Sequence, residues 1–219
     1  MRQFLLLRPE PGLSASAERA RGLGLDVITC PLFRVEPVAW EVPDAANYDA
    51  LLLTSANAMR HGGAGLEALK SLPVHAVGKT TAAIARMAGF EVASVGAGNV
   101  AELVEALPNS LRLLHLAGED HRLKADKRIE RRIVYRSVQI DRPGLPPLAD
   151  LVIAVHSPRA GARLAELAEP REQTVVAAIS TAAADTVGNG WERVEIAAQP
   201  NDSSLLALAA MLCHTSPRK

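Results

Sequence analysis

Asp49-Ala50-Leu51-Leu52-Leu53-Thr54-Ser55 and Asp150-Leu151-Val152-Ile153-Ala154-Val155-His156-Ser157 are the two stretches on which the fold turns. Each opens with an acid, runs through a continuous apolar block and ends in hydroxyls, and the two align with one residue of slippage. A short apolar run of this kind reads as a strand buried on both faces, which is the habit of parallel sheets. The correspondence extends outward. Ala76-Val77-Gly78 answers Ala178-Ile179-Ser180, Gly89-Phe90 answers Gly190-Trp191, and Gly98-Asn99 with Leu103 answers Pro200-Asn201 with Leu205. The offset stays at about a hundred residues, the size of one small domain, so the chain holds two copies of an α/β lobe. Solenoids need several shorter repeats, and a two-lobed protein with a cleft is the expected architecture.

Apolar runs at 4–7, 26–29, 50–53, 74–77, 91–95, 112–116, 151–155, 175–179 and 193–197 are expected strands, with helices in the intervals. Gly89 and Gly190 stand where helices should stop and turn through left-handed backbone. Segments 31–38 and 133–140 differ in kind. Leu32-Phe33-Arg34-Val35-Glu36-Pro37-Val38 and Ile133-Val134-Tyr135-Arg136-Ser137-Val138-Gln139-Ile140 alternate apolar with polar, as a half-exposed antiparallel pair does. They bracket the first full repeat. The chain is therefore expected to start in one lobe, cross at about residue 35, build the second, and return at about 138. This makes a discontinuous first lobe of 1–34 plus 141–219, a second lobe of 35–138, and a two-stranded hinge. Pro143-Gly144-Leu145-Pro146-Pro147 marks the return.

Composition narrows the function classes. The 219 residues carry 24 Lys+Arg against 24 Asp+Glu, and aromatic residues make up only 3%. Zero net charge gives no general attraction to nucleic acid or to an anionic membrane, and few aromatic faces are on offer for base stacking. Two distant cysteines, Cys30 and Cys213, and six histidines without paired spacing predict neither a metal site nor a disulfide framework. The apolar start Phe4-Leu5-Leu6-Leu7 is too short for a signal or membrane segment, so a cytoplasmic protein is expected.

Polar residues cluster after the expected strands, where parallel sheets dock ligands. Gly78-Lys79-Thr80-Thr81 looks like the end of a phosphate loop, but Pro73 stands where its first glycine belongs, and a nucleotide loop is rejected. What remains is a helix N-terminus with free N–H groups and hydroxyls, suited to an anion or simply to capping. Ser55, Asn57 and Ser157, the last before Pro158, are good N-caps in their own right. Ser180-Thr181 is the second-repeat partner of Gly78-Lys79-Thr80-Thr81. No GxSxG surrounds these serines, and Gly96-Ala97-Gly98-Asn99 lacks the third glycine of a dinucleotide loop. The basic run Arg122, Lys124, Lys127, Arg128, Arg131, Arg132 and Arg136 reads as a solvated helix face leading into the hinge.

Taken in order, the tandem lobes, Leu53-Thr54-Ser55-Ala56-Asn57-Ala58, Ala76-Val77-Gly78-Lys79-Thr80-Thr81-Ala82 with Gly89-Phe90, Gly118-Glu119 with Arg122, Tyr135, Ser157-Pro158 and Pro200-Asn201-Asp202 resemble the uroporphyrinogen-III synthase family. The resemblance implies two flavodoxin-like parallel-sheet lobes joined by a two-stranded antiparallel β-ladder. It also implies a lyase, without cofactor or metal, that closes hydroxymethylbilane with loss of water and inversion of ring D. That substrate carries eight carboxylates, which helix N-termini, hydroxyls and a few arginines can hold. The resemblance places Tyr135 as the acid or hydrogen-bond donor at the departing hydroxyl. It places Arg8, Ser55, Asn57, Gly78, Thr80, Thr81, Arg122, Ser157, Ser180 and Thr181 at the substrate. One departure stands out, because Ser180-Thr181-Ala182-Ala183 replaces the paired threonines usual in the second lobe. A monomer acting on a small molecule, without nucleic-acid or membrane partners, is the resulting expectation. The alternative is a two-lobed module that binds a small anion or tetrapyrrole without chemistry; a nucleotide-dependent transferase is disfavoured by the broken phosphate loop.

Overall fold

A computed structural model describes residues 1–97, 99–120, 123 and 125–214. The strands are β1 Gln3–Leu6, β2 Val27–Thr29, β3 Phe33–Pro37, β4 Ala50–Leu53, β5 Val74–Val77, β6 Val92–Gly96, β7 Leu113–Gly118, β8 Ile129–Gln139, β9 Leu151–Val155, β10 Val175–Ala178 and β11 Arg193–Ile196. The helices are α1 Gly12–Gly22, α2 Asn57–His61, α3 Lys79–Met87, α4 Val100–Glu105, α5 Pro158–Leu167, α6 Thr181–Ala184 and α7 Asp202–His214. A 3-10 stretch, Gly63–Leu69, follows α2. The chain divides into two compact units, Met1–Arg34 with Val138–Lys219, and Val35–Ser137.

Unit 1 is a sheet in the order β2-β1-β9-β10-β11, with every pairing parallel. Its central strands β9 and β10 are buried along their whole length, as the unbroken apolar run of the sequence requires. One face, with Phe4, Leu6, Val152 and Ala154, packs on Leu13 and Ala17 of α1 and Leu205, Leu206 and Ala209 of α7. The other, with Leu5, Ile153 and Val176, packs on Ala160 and Leu164 of α5 and Ala183 of α6.

Unit 2 repeats that order as β8-β7-β4-β5-β6, again parallel, with β3 added beside β8. Here β4, β5 and β6 take the places of β9, β10 and β11, as the repeat implies, while β7 and β8 take those of β1 and β2. The same sheet is thus threaded with its first two strands last. Leu51, Leu53, Val74 and Ala76 pack on Ala58 and Met59 of α2, Leu66 and Leu69 of the 3-10 stretch, and Ala82 and Ala85 of α3. On the opposite face Leu52 meets Leu103 and Val104 of α4. Each of these leucines contributes about 1.5–3 kcal/mol by leaving water.

Apart from the start of β8, strand positions follow the sequence to within a residue or two, and Gly89 and Gly190 take matching φ of 84° and 91°. The basic run is a correction. The strand expected over 133–140 is present, but it begins earlier: Ile129–Arg132 are not a helix face but the start of the same strand, whose β-branched Ile129, Ile133, Val134 and Val138 outweigh the helix-forming arginines between them. Next to it β3 runs antiparallel, since Val38 N–H donates to the Val134 carbonyl at 3.0 Å and Ile140 N–H to that of Leu32 at 2.9 Å.

Candidate functional site

In unit 2 the parallel strands β7, β4 and β5 lie side by side, so their carboxyl ends form a row. At the end of β4, the Ser55 hydroxyl accepts from Asn57 N–H at 3.2 Å, and the Asn57 side-chain oxygen accepts from Arg60 at 3.2 Å. At the end of β5, Gly78 turns into α3 with φ 85°, and no side chain caps that helix. Its first-turn N–H groups are therefore available to an anion, with the macrodipole behind them. Thr81 is buried and Thr80 exposed, so the two hydroxyls that sequence grouped together occupy different surroundings.

Tyr135 stands at the end of β7. Ala117 pairs with Ile133, but Gly118 pairs with Tyr135, leaving Val134 as an extra residue in β8. This bulge breaks the alternation of the strand, so Val134 and Tyr135 both pack against the α2–α3 side of the sheet. The phenol ring lies directly over Gly118, where a Cβ would fall 2.6 Å from ring carbons and 2.9 Å from the hydroxyl oxygen. Glu119 N–H donates to the Tyr135 carbonyl at 3.0 Å and fixes the backbone beneath.

The strand ends of unit 1 are built differently. Ser157 caps α5 by accepting from Ala160 N–H at 3.2 Å, and Ser180 caps the four-residue α6 by accepting from Ala183 N–H at 3.3 Å. Thr181, the next residue, is exposed. Arg8, expected at the substrate, is tied into a cluster around Asp202 in the first turn of α7. Asp202 Oδ1 accepts from Arg8 at 2.9 Å, the Ser16 hydroxyl at 2.7 Å and His156 Nε2 at 2.9 Å, while Oδ2 accepts from Arg19 at 2.7 and 3.1 Å. Burial alone would raise the Asp202 carboxyl, yet the hydrogen bonds from His156, Ser16 and Arg19 hold it far below the usual carboxylate range. Burial pushes the His156 imidazole below its ordinary value despite the pull of Asp202, so a neutral ring donates from Nε2.

The sequence therefore placed Ser55, Asn57, Gly78, Thr80, Ser157, Ser180 and Thr181 at strand ends or helix starts, where the structure has them. Arg122 lies outside the described residues. Ser16, Arg19 and His61 were missed, and Asp202 was read only as part of a pattern. The link between Arg8 and Asp202 spans 194 positions and leaves no local mark. Among the described residues no group of histidine, cysteine and acid side chains could hold a metal ion, and no helix is long and apolar enough to cross a membrane.

The family model described as uroporphyrinogen-III synthase HemD matches residues 14–207. The chain belongs to the uroporphyrinogen-III synthase family. Its fold resembles the crystal structure of uroporphyrinogen-III synthetase from Helicobacter pylori, at 18% identity and a TM-score of 0.70, over 97% of this chain and 100% of that one. It also resembles a mutant uroporphyrinogen III synthase from Thermus thermophilus, at 17% identity and a TM-score of 0.50, over 96% and 99%. No curated protein matches the sequence. Unit 2 thus holds a phenol at the end of β7 and, after β5, a helix start without a side-chain cap.

Proposed function

We propose that this protein cyclises hydroxymethylbilane to uroporphyrinogen III, with loss of water and inversion of ring D. The departing hydroxyl takes a proton, its carbon–oxygen bond breaks with the electron pair leaving on water, and an azafulvene cation remains. The substituted carbon of ring D attacks that cation to give a spiro intermediate. The bond from this carbon to the ring C methylene then breaks, its electron pair returning to ring D and leaving an azafulvene cation on ring C. The unsubstituted carbon of ring D attacks that cation, and loss of its proton restores the pyrrole with the ring inverted. No net oxidation occurs, so the balance calls for no redox cofactor. Free in solution the cation closes without inversion, so the protein acts mainly by holding the chain in the reactive geometry.

Tyr135 is the proposed donor to the departing hydroxyl, and the observation that carries this reading is its phenol seated over Gly118 at the end of β7. The substrate carboxylates are assigned to Ser55, Asn57, Gly78, Thr80 and Thr81 in unit 2, to Arg8, Ser157, Ser180 and Thr181 in unit 1, and to Arg122. The uncapped start of α3 and its positive Gly78 φ favour such an anion. The same reading takes the protein as a cytoplasmic monomer with lobes of 1–34 plus 141–219 and 35–138. Membership of the family argues against a purely binding module. The test is to supply enzymatically generated hydroxymethylbilane, oxidise the products and separate the porphyrin isomers. Type III in excess is expected; type I alone, as without protein, would refute the proposal.

A further inference from the structure

The bulge at Val134 and the bare Cα of Gly118 account for where the Tyr135 ring begins, but not for what keeps it there. A phenol over a glycine has an open side, and the residue found beside it is His61, the last of α2. The two ring centroids are 6.2 Å apart with an interplanar angle of 36°, within the range at which aromatic rings attract one another. Nothing in the sequence pattern singles out His61, and none of the steps above uses it. We infer that Gly118 and His61 are positioning residues for the Tyr135 phenol, the first by leaving room beneath the ring and the second by packing beside it. The inference rests on the proposed role of Tyr135.

The geometry supports this division of work. Gly118 does not adopt a positive φ, so its requirement is space and not conformation. An added Cβ would meet two ring carbons at 2.6 Å, and the ring must then leave its place over β7. His61 packs on the ring from a different element, and burial with the nearby Arg60 charge lowers its pKa, so at neutral pH it adds no cation beside the phenol. The bulge turns the side chain, the glycine admits it and the imidazole confines it.

The experiment measures kcat and KM for His61→Ala and Gly118→Ala, each alone and combined with Tyr135→Phe. Tyr135→Phe is expected to lower kcat by about 100-fold, the lower range for a lost proton donor. His61→Ala is expected to lower kcat by about tenfold with KM within about twofold, and to have less than about a twofold effect in the Tyr135→Phe background, the coupling of residues acting through one another. Gly118→Ala is expected to approach the Tyr135→Phe rate. If Gly118→Ala fails to fold, Gly118→Ala with Tyr135→Ala should fold again, because the clashing ring is gone. His61→Ala losing equal activity in both backgrounds, or none in the wild type, would overturn the inference while leaving Tyr135 in place. Wild-type turnover by Tyr135→Phe would instead contradict the donor role, and the inference with it.

Discussion

Unit 1 and unit 2 share one strand order but cover it differently. The face of unit 1 with Phe4, Leu6, Val152 and Ala154 lies under α1 and α7, which have 11 and 13 residues. The matching face of unit 2 holds Leu52, with His75 and His115 its neighbours in register, and the helix there is α4 with six residues. Among the described residues between β7 and β8 none is helical, where unit 1 has α1. Polar groups on this face are paired within the sheet, Thr54 Oγ1 to His115 Nε2 at 3.0 Å and His75 Nδ1 to Ser94 at 2.7 Å. At the strand ends of unit 1, Ser157 and Ser180 cap α5 and α6, and Asp202 binds the side chains of Arg8 and His156. Unit 2 leaves α3 uncapped and presents a phenol. The lesson is that the serines after β9 and β10 are engaged by their own helices, whereas the helix start after β5 is left open where the chemistry is proposed.

The largest effect should come from cutting the knot in unit 1. Asp202→Ala leaves Arg8, Ser16, Arg19 and His156 without their shared acceptor, and a loss of about 2–4 kcal/mol is expected in urea unfolding. A loss below about 1 kcal/mol would show that the cluster is no more than a surface contact. Next come the helix starts. Ser157→Ala removes a side-chain cap together with a proposed carboxylate contact, and should cost about 1 kcal/mol while raising KM less than a change at an open helix start. Gly78→Ala forces φ 85° on a residue with a Cβ, and should cost about 1–2 kcal/mol while also raising KM. Equal KM effects at the two positions would erase the contrast between a closed and an open helix start.

The smallest effect is on pH dependence. Burial lowers the pKa of both His75 and His156, so the folded protein resists a proton that the unfolded chain takes up near pH 6.5. Stability is then fully present above that pH and falls as the pH drops below it, until the folded values are reached. His75→Gln, which can still bond Ser94, should flatten part of this slope in pH-dependent melting. An unchanged slope would mean that His75 titrates alike in both states.

The paired sheets were legible because continuous apolar runs such as Leu51-Leu52-Leu53 and Leu151-Val152-Ile153 are strands buried on both sides, and because the repeat is carried by them. The hydroxyls and glycines of the strand ends followed directly, since their place is fixed by where the strands stop. The basic run misled because arginine density was weighed above the branched residues among it. The bulge at Val134 was invisible, as period-two alternation presumes an unbroken ladder and would set Val134 and Tyr135 on opposite faces. The Asp202 cluster was invisible for another reason: its members meet only when β1, α1, β9 and α7 have assembled.

The division between the units is measured most directly by determining kcat and KM for Tyr135→Phe beside Thr181→Ala. Tyr135→Phe is expected to lower kcat by about 100-fold with KM nearly unchanged. Thr181→Ala, an exposed hydroxyl in unit 1, is expected to raise KM by about fivefold with kcat nearly unchanged, the loss of a contact made equally in ground and transition states. A Thr181→Ala variant as slow as Tyr135→Phe, or a Tyr135→Phe variant altered only in KM, would contradict the account.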